Sequence, residues 1–515
     1  MLNQHLKILL LLVLVFISKF SKASRIFCYQ PVPFDSHQTV FQVLTDALAQ
    51  EGHELVILTT RPREKPSTNI LEIDVHEISH SGLEKHYAEA ARHRNTFGFP
   101  DQLELMKFAR DYMDPVYDLQ LEHPQMQALI KDKTQKFDLI LVEANTPAGI
   151  VLRARFKAPV LLVSTMTVTS DIFHLVGADT NHLFYPDFLI APVWDLSFGQ
   201  KLCSFYNLVR IKFTDLKLDN YGIKFLKRHL GQEAPSMEEL EKDVEMLFLN
   251  AYRYWDNNRP APIGSVLYMG GFHLKPPNSL PEHIKTFVDE SKHGVVVMSF
   301  GSKFKLSTLP KRILRIIINV YSTLPYDFIW KWDTDKWPDK PHNIKIVKKL
   351  PQNELLHHPK VRALVTHGGL LSTHEAIAAR VPLVGLPLFS NHWQNAWQYE
   401  KLGIGICLDI DHLNENKLRN AVVAVVEEKK FRENIGRVSR IVSDSREKAL
   451  QTATRWVLRM TTPRGPRYLR SPLADTTFAS YYMLDVVLIA TFFVLVVGIA
   501  IVYAVKIEMF RRCVL

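Results

Sequence analysis

Thr366-His367-Gly368-Gly369-Leu370-Leu371-Ser372-Thr373-His374-Glu375-Ala376 follows Val361-Arg362-Ala363-Leu364-Val365, and the two stretches read together as a buried strand, a tight turn and a helix. The glycines leave the backbone N–H groups of the turn bare. The first turn of a helix also carries partial positive charge, so this turn can receive an anion such as a diphosphate. Glu375 lies farther along the helix, where a carboxylate can accept hydrogen bonds from ribose hydroxyls. His-Gly-Gly alone is no more than a structural turn; its surroundings decide.

Working outward, the same grammar repeats. Pro382 to Pro387 continues the pattern after the helix, and Gly294 to Ser299 and Asp327 to Trp332 precede it. In the first half, Arg25 to Tyr29, Glu54 to Thr59, Phe137 to Glu143 and Pro159 to Val163 read as strands buried on both faces, with a helical pattern from Thr39 to Gln50. A Pro/Gly-rich stretch from Arg259 to Gly271 separates the halves. The expected fold class is α/β: two doubly wound Rossmann-like domains facing a cleft where their strand C-termini meet. Residues 70–130 and 165–240 are less regular and more aromatic, the natural place for an acceptor pocket.

Both ends carry membrane signals. Lys7, the apolar run Ile8 to Ile17 and Ser21-Lys22-Ala23 read as a signal peptide cleaved after residue 23. Val486 to Val505 is twenty residues without a charge, enough to span a bilayer as a helix, and Lys506, Arg511 and Arg512 follow it. Positive charge stays on the cytoplasmic side, so the expected topology is single-pass type I. The resulting division is signal peptide 1–23, N-terminal domain 24–258, linker 259–275, C-terminal domain 276–470, juxtamembrane segment 471–485, transmembrane helix 486–505 and cytosolic tail 506–515. The net charge of +10 is dispersed along 515 residues, which fits an anionic small ligand or a membrane surface and not a nucleic-acid groove. Cys28, Cys203, Cys407 and Cys513 lie far apart and suggest neither a disulfide nor a metal site, and there is no Asn-x-Ser/Thr sequon.

The order Leu350-Pro351-Gln352-Asn353-Glu354-Leu355-Leu356, His358-Pro359, the His-Gly-Gly segment and Gly385-Leu386-Pro387-Leu388-Phe389 closely resembles the signature of the UDP-dependent glycosyltransferases, whose two-domain architecture is called GT-B. Ser299-Phe300-Gly301-Ser302, Trp330-Lys331-Trp332, Gly270-Gly271-Phe272-His273 and the terminal anchor resemble the membrane-bound animal branch, so nearly the whole chain is covered. The resemblance implies that Gln352 meets uracil, that Ser302, His367 and Ser372 meet the diphosphate with Gly368 and Gly369 allowing close approach, and that Glu375 meets the ribose. It places Asn391-His392 at the sugar, where relatives usually carry Asp-Gln, and Lys349 at the uracil, where they carry Trp. A lysine stem covers a base without stacking as an indole does, and Asn-His lacks a carboxylate's charge-assisted hydrogen bonds.

Asp35-Ser36-His37-Gln38, expected in the loop after the first strand, resembles the family's catalytic histidine segment. His37 is the candidate general base, with Glu143 at a strand end as its orienting acid. The implied reaction is a single inverting displacement that moves a hexose, most simply glucose, from a UDP-sugar to a small lipophilic acceptor, with no metal and no cofactor. A metal-dependent alternative would use an Asp-x-Asp pair, which Asp333-Thr334-Asp335 and Asp409-Ile410-Asp411 match only as short patterns. The resemblance further implies an endoplasmic-reticulum membrane setting, compatible with homo- or hetero-dimers. The alternative reading is a binding or regulatory relative with a decayed donor site, motivated by Lys349 and His392.

Overall fold

The computed structural model describes residues 23–81, 111, 113–178, 235–301, 309–332, 340–388, 391–462 and 470–514, with isolated positions between 181 and 231. The signal-peptide run, Ser302, Asp333 to Asp335 and Cys203 lie outside the described residues.

Two parallel sheets form the frame. The first contains β1 (Arg25–Gln30), β2 (Glu54–Thr59), β3 (Ile70–Asp74), β4 (Leu139–Glu143), β5 (Val160–Ser164), β6 (Val244–Leu249) and β7 (Val266–Tyr268), in the order β3-β2-β1-β4-β5-β6-β7. The second contains β8 (Val295–Ser299), β9 (Asp327–Lys331), β10 (Ile344–Val347), β11 (Val361–Thr366), β12 (Leu383–Gly385) and β13 (Gly405–Cys407), in the order β10-β9-β8-β11-β12-β13. Every adjacent pair is parallel. The chain therefore reverses its winding between β1 and β4 and again between β8 and β11. In a doubly wound sheet this reversal opens a crevice at the strand C-termini, and ligands bind there.

Six helices matter for the site: α1 (Asp35–Gln50), α2 (Gln352–Leu356), α3 (Leu370–Ala379), α4 (Asn391–Lys401), α5 (Lys429–Met460) and α6 (Leu484–Val514). Helix α1 buries Val40, Phe41, Leu44 and Leu48 against Ile26, Cys28, Leu55, Ile57, Leu139 and Leu141, the even-numbered face of β1 and the odd-numbered faces of β2 and β4. It begins at Asp35, four residues earlier than the apolar periodicity predicts, with an acid in its first turn where the helix dipole favours one. His37 thus sits on a helix and not in a loop.

Two further departures concern the joins. Residues 259–275, expected as a linker, contribute β7 to the first sheet. The end of α5, assigned by sequence to the second half, places Ala449, Ala453, Val457 and Met460 in the same core cluster as α1. The chain thus crosses back and clamps the first half from outside.

The halves meet at a buried polar seam. Trp255 is fully buried and donates from Nε1 to Asn395 Oδ1 at 2.7 Å, Gln398 Nε2 donates to the Trp255 carbonyl at 3.3 Å, and Thr167 Oγ1 donates to Gln394 Oε1 at 3.2 Å. Beyond the seam, Arg470 donates to the Val244 carbonyl at 2.6 Å and pairs with Asp475 at 2.9 Å, so the segment before α6 is tied to the first sheet. Helix α6 contains one span apolar and long enough to cross a membrane, none of it buried in the protein. It runs on without a break through Lys506, Arg511 and Arg512.

Trp255→Ala deletes a large fully buried ring and leaves Asn395 without its donor, so it should cost about 3–5 kcal/mol. Denaturant unfolding of the detergent-solubilised protein measures the loss. An unchanged midpoint would show that the seam does not support the fold.

Candidate functional site

In the first half, the site stands on the β1/β4 reversal. Glu143 ends β4 with its side chain only 1% exposed, and His37 Nδ1 lies 3.4 Å from Glu143 Oε1. The Phe34 ring packs 5.7 Å from the imidazole. Gln38, the neighbour of His37, secures the entry to the helix. Its Nε2 donates to the carbonyls of Gln30 (3.0 Å) and Val32 (2.9 Å), and its Oε1 accepts from Thr59 Oγ1 at 2.7 Å. That lock fixes the first turn of α1 over β1, and so fixes the height of His37 above Glu143.

In the second half, the turn after β11 is sterically forced. Gly368 has φ +92°, and a Cβ there would lie 2.7 Å from the His392 carbonyl oxygen. Gly369 is the residue that caps α3, and a Cβ on it would meet the His367 ring at 2.8 Å. Neither glycine adds a side chain at the start of α3, which is where an anion site needs room, and the Gly368 N–H faces Thr366 Oγ1 at 3.4 Å. The His367 ring packs edge-on against His392, centroids 4.3 Å apart. Burial pushes its pKa down to about 4, aided by the nearby Lys331 ammonium, so at neutral pH it is an uncharged hydrogen-bonding group.

Gln352, Ser372 and Glu375 form one network. Gln352 opens α2 and donates from Nε2 to Ser372 Oγ at 2.9 Å and to Glu375 Oε2 at 2.5 Å. Desolvation pushes the Glu375 carboxyl up to about 7, against the lowering effect of the Gln352 amide. Asn391 opens α4, half-buried, with His392 buried beside it, and Lys349 is exposed. The structure therefore groups Gln352, Ser372 and Glu375, groups His367, Gly368, Gly369 and His392, and joins His37 to Glu143. Asp409 of the second Asp-x-Asp pattern is engaged in a local turn, accepting from the Asp411 N–H at 2.9 Å and facing His412 at 2.8 Å.

Two residues that the sequence reading passed over hold these groups in place. Asn395 accepts from Trp255 and donates from Nδ2 to the Gly368 carbonyl at 2.8 Å, tying the glycine turn to the opposite half. Gln38 was quoted only as part of a motif. Both are carboxamides, whose donor and acceptor permit bridging, but nothing in their spacing announces it.

The sequence matches the profile of the family described as UDP-glucoronosyl and UDP-glucosyl transferase over residues 31–515. It is 31% identical over 477 residues to an ecdysteroid UDP-glucosyltransferase of Lymantria dispar multicapsid nuclear polyhedrosis virus, covering 90% of this chain and 92% of that one. It is 28% identical to the human 2-hydroxyacylsphingosine 1-beta-galactosyltransferase, covering 94% of this chain and 87% of that one. Among solved structures, a UDP-glucosyltransferase from Polygonum tinctorium superposes with TM-score 0.56 at 15% identity, over 86% of this chain and 99% of that one.

On the expectation that Glu375 meets the ribose, its ionised carboxylate accepts the hydroxyls more strongly than its protonated form does. UDP affinity should therefore rise as pH increases through about 7, by up to about tenfold per unit below that point. Titration calorimetry across pH 5.5–8.5 tests this, with Glu375→Gln flattening that component; an identical pH dependence in the variant would remove Glu375 from the donor site.

Proposed function

The chain belongs to the UDP-glucoronosyl and UDP-glucosyl transferase family, and is a UDP-glycosyltransferase of GT-B architecture that moves a sugar from a UDP-sugar to an acceptor; from that premise we propose that it is an inverting glucosyltransferase acting on a hydroxyl of a small lipophilic molecule. The observation that carries this reading is the buried His37–Glu143 pair at the β1/β4 reversal. His37 Nε2 removes the acceptor hydroxyl proton as the oxygen forms its bond to the anomeric carbon. The bond from that carbon to the UDP oxygen breaks on the opposite face, and UDP leaves with the electron pair. Glu143 holds Nδ1–H and stabilises the imidazolium as it forms. The bare N–H groups at the start of α3 receive the diphosphate and its growing charge. Neither a metal nor a cofactor takes part in this scheme.

Glucose as donor and a lipophilic acceptor are supported by relatives named as ecdysteroid UDP-glucosyltransferases. Asn391 and His392 supply neutral donors and acceptors to the sugar hydroxyls, and the alkyl stem of Lys349 lies at the uracil. The exposed apolar span of α6, followed by Arg511 and Arg512, supports an anchor in the endoplasmic-reticulum membrane with both sheets on the lumenal side. An acceptor dissolved in the bilayer would then reach the cleft directly.

Detergent-solubilised protein assayed with a generic phenol and UDP-glucose, UDP-galactose, UDP-glucuronic acid or UDP-N-acetylglucosamine should turn over UDP-glucose fastest, with or without manganese. His37→Ala should lose about 10²–10⁴-fold in kcat. Turnover unchanged in that variant would remove His37 as the base, strict manganese dependence would overturn the metal-free scheme, and preference for another donor would reassign the sugar. UDP binding undetectable at millimolar ligand would instead mark a decayed donor site.

A further inference from the structure

Gln30 ends β1 and is 1% exposed, yet neither Oε1 nor Nε2 of its side chain has a hydrogen-bond partner among the described residues. Two orphaned polar atoms on one buried amide are costly. A leucine of similar size would avoid that cost, so the position calls for a polar role.

The register says where the amide lies. Gln30 pairs with Thr59 of β2, and the β1–β4 ladder runs from Ile26 beside Leu139 to Tyr29 beside Val142, which sets Gln30 next to Glu143. Side chains alternate along a strand. Ile26 and Cys28 share a core with Leu139 and Leu141 beneath α1, and Gln30 and Glu143 extend those two columns to the crevice. The row across the sheet is therefore Thr59, Gln30, Glu143, with α1 above it. Gln38 covers the Thr59 end, its own amide already saturated by Thr59 Oγ1 and two backbone carbonyls. His37 covers the other end, with its Nδ1 and Glu143 Oε1 also lacking a formed hydrogen bond. One donor from Gln30, one donor from His37 and one carboxylate oxygen thus wait at the same place.

We propose that Gln30 is a positioning residue for the reaction: its Nε2–H donates to the Glu143 carboxylate from the sheet side while His37 Nδ1–H closes its 3.4 Å gap from the helix side. Catalytic hydrogen bonds commonly shorten only when substrate is bound. A carboxylate held from two directions keeps its orientation as the imidazole gains charge. It is also less basic than one held by histidine alone, so the proton taken from the acceptor stays on His37. The inference rests on the His37–Glu143 reading above. Among the described residues, the other titratable groups around this row are Asp35 in the same turn of α1, Cys28 one step down β1, Arg61, and Arg63, which is paired with Glu72 and Asp46. The Arg61 guanidinium is occupied by Thr39 Oγ1 at 3.0 Å and Gln42 Oε1 at 2.5 Å.

The test compares kcat/KM against pH for wild type, Gln30→Leu, Gln30→Glu and His37→Ala, with UDP affinity as the check on the distant donor site. Gln30→Leu removes the donor and makes Glu143 a stronger partner for the imidazolium. The acid limb should move up by about half to one pH unit, while UDP affinity and thermal midpoint hold. Gln30→Glu sets a second carboxylate beside the first, so the limb should move farther and turnover should recover at alkaline pH. If both limbs stay in place while His37→Ala is inactive, Gln30 is a packing residue and the proposal falls. If His37→Ala is as active as wild type, the base assignment fails first and takes this one with it.

Discussion

Asn395 is the point on which the two halves depend. Its carboxamide accepts from the Trp255 indole of one half and donates to the carbonyl of Gly368 in the other. Gly368 is the residue whose left-handed backbone makes the anion turn. A protein of this design must hold an acceptor on one sheet and a donor on the other, and the displacement requires both to be in line. A direct hydrogen-bonded link from the seam to the glycine turn makes the orientation of that turn a consequence of how the halves pack. Gln398 and Gln394 extend the same contact from α4. The helix that opens with Asn391 and His392 is thus also the helix that docks the opposite half.

Electrostatics follows from this closeness. The crevice combines buried groups with a helix N-terminus, and burial shifts its titratable residents toward their uncharged forms. His367 is neutral because burial disfavours its cation, and Glu375 is half-ionised near neutrality because burial disfavours its anion. His273 and His374, packed with centroids 5.6 Å apart behind Glu375, are pushed the same way as His367. Charge in this crevice is therefore set by burial and by the Lys331 ammonium near His367, in a medium where such effects are strong.

Much of this was legible in the sequence, and its limits have physical causes. Strands β1, β2, β4, β5, β8, β9, β11 and β12 announce themselves as apolar runs because both their faces are buried; β6 is buried as fully, but Glu245 interrupts its run and it went unread. Strands β3, β10 and β13 stand at sheet edges or next to them, where half-exposed side chains dilute the signal. Strand β7 is three residues long and hides in a Pro/Gly-rich stretch. The grouping of Gln352, Ser372 and Glu375 was legible because these residues lie in a single strand–turn–helix unit and the short helix that precedes it, where spacing in sequence mirrors spacing in space. The partners Trp255 and Asn395 are 140 residues apart, and Gln30 and Glu143 come from different strands; only the completed sheet brings such pairs together. The start of α1 was misplaced because Asp35, Ser36 and His37 carry no apolar periodicity. They are helical because Gln38 pins the turn to β1 and not because of propensity.

The route of the chain after the second sheet decides which half carries the apolar helix. Helix α5 leaves the second half and lies against α1, and the segment that follows is fastened by Arg470 to the carbonyl of Val244 on β6. Gly177 contributes to the same junction, since any Cβ there would strike Ser471 at 2.5 Å. The apolar helix is therefore attached to the first half although it follows the second in sequence. This tether is made to the sheet that also carries His37 and Glu143. The crossing of α5 from one half to the other is what brings the apolar helix back to the first sheet although the second is encoded later in the chain.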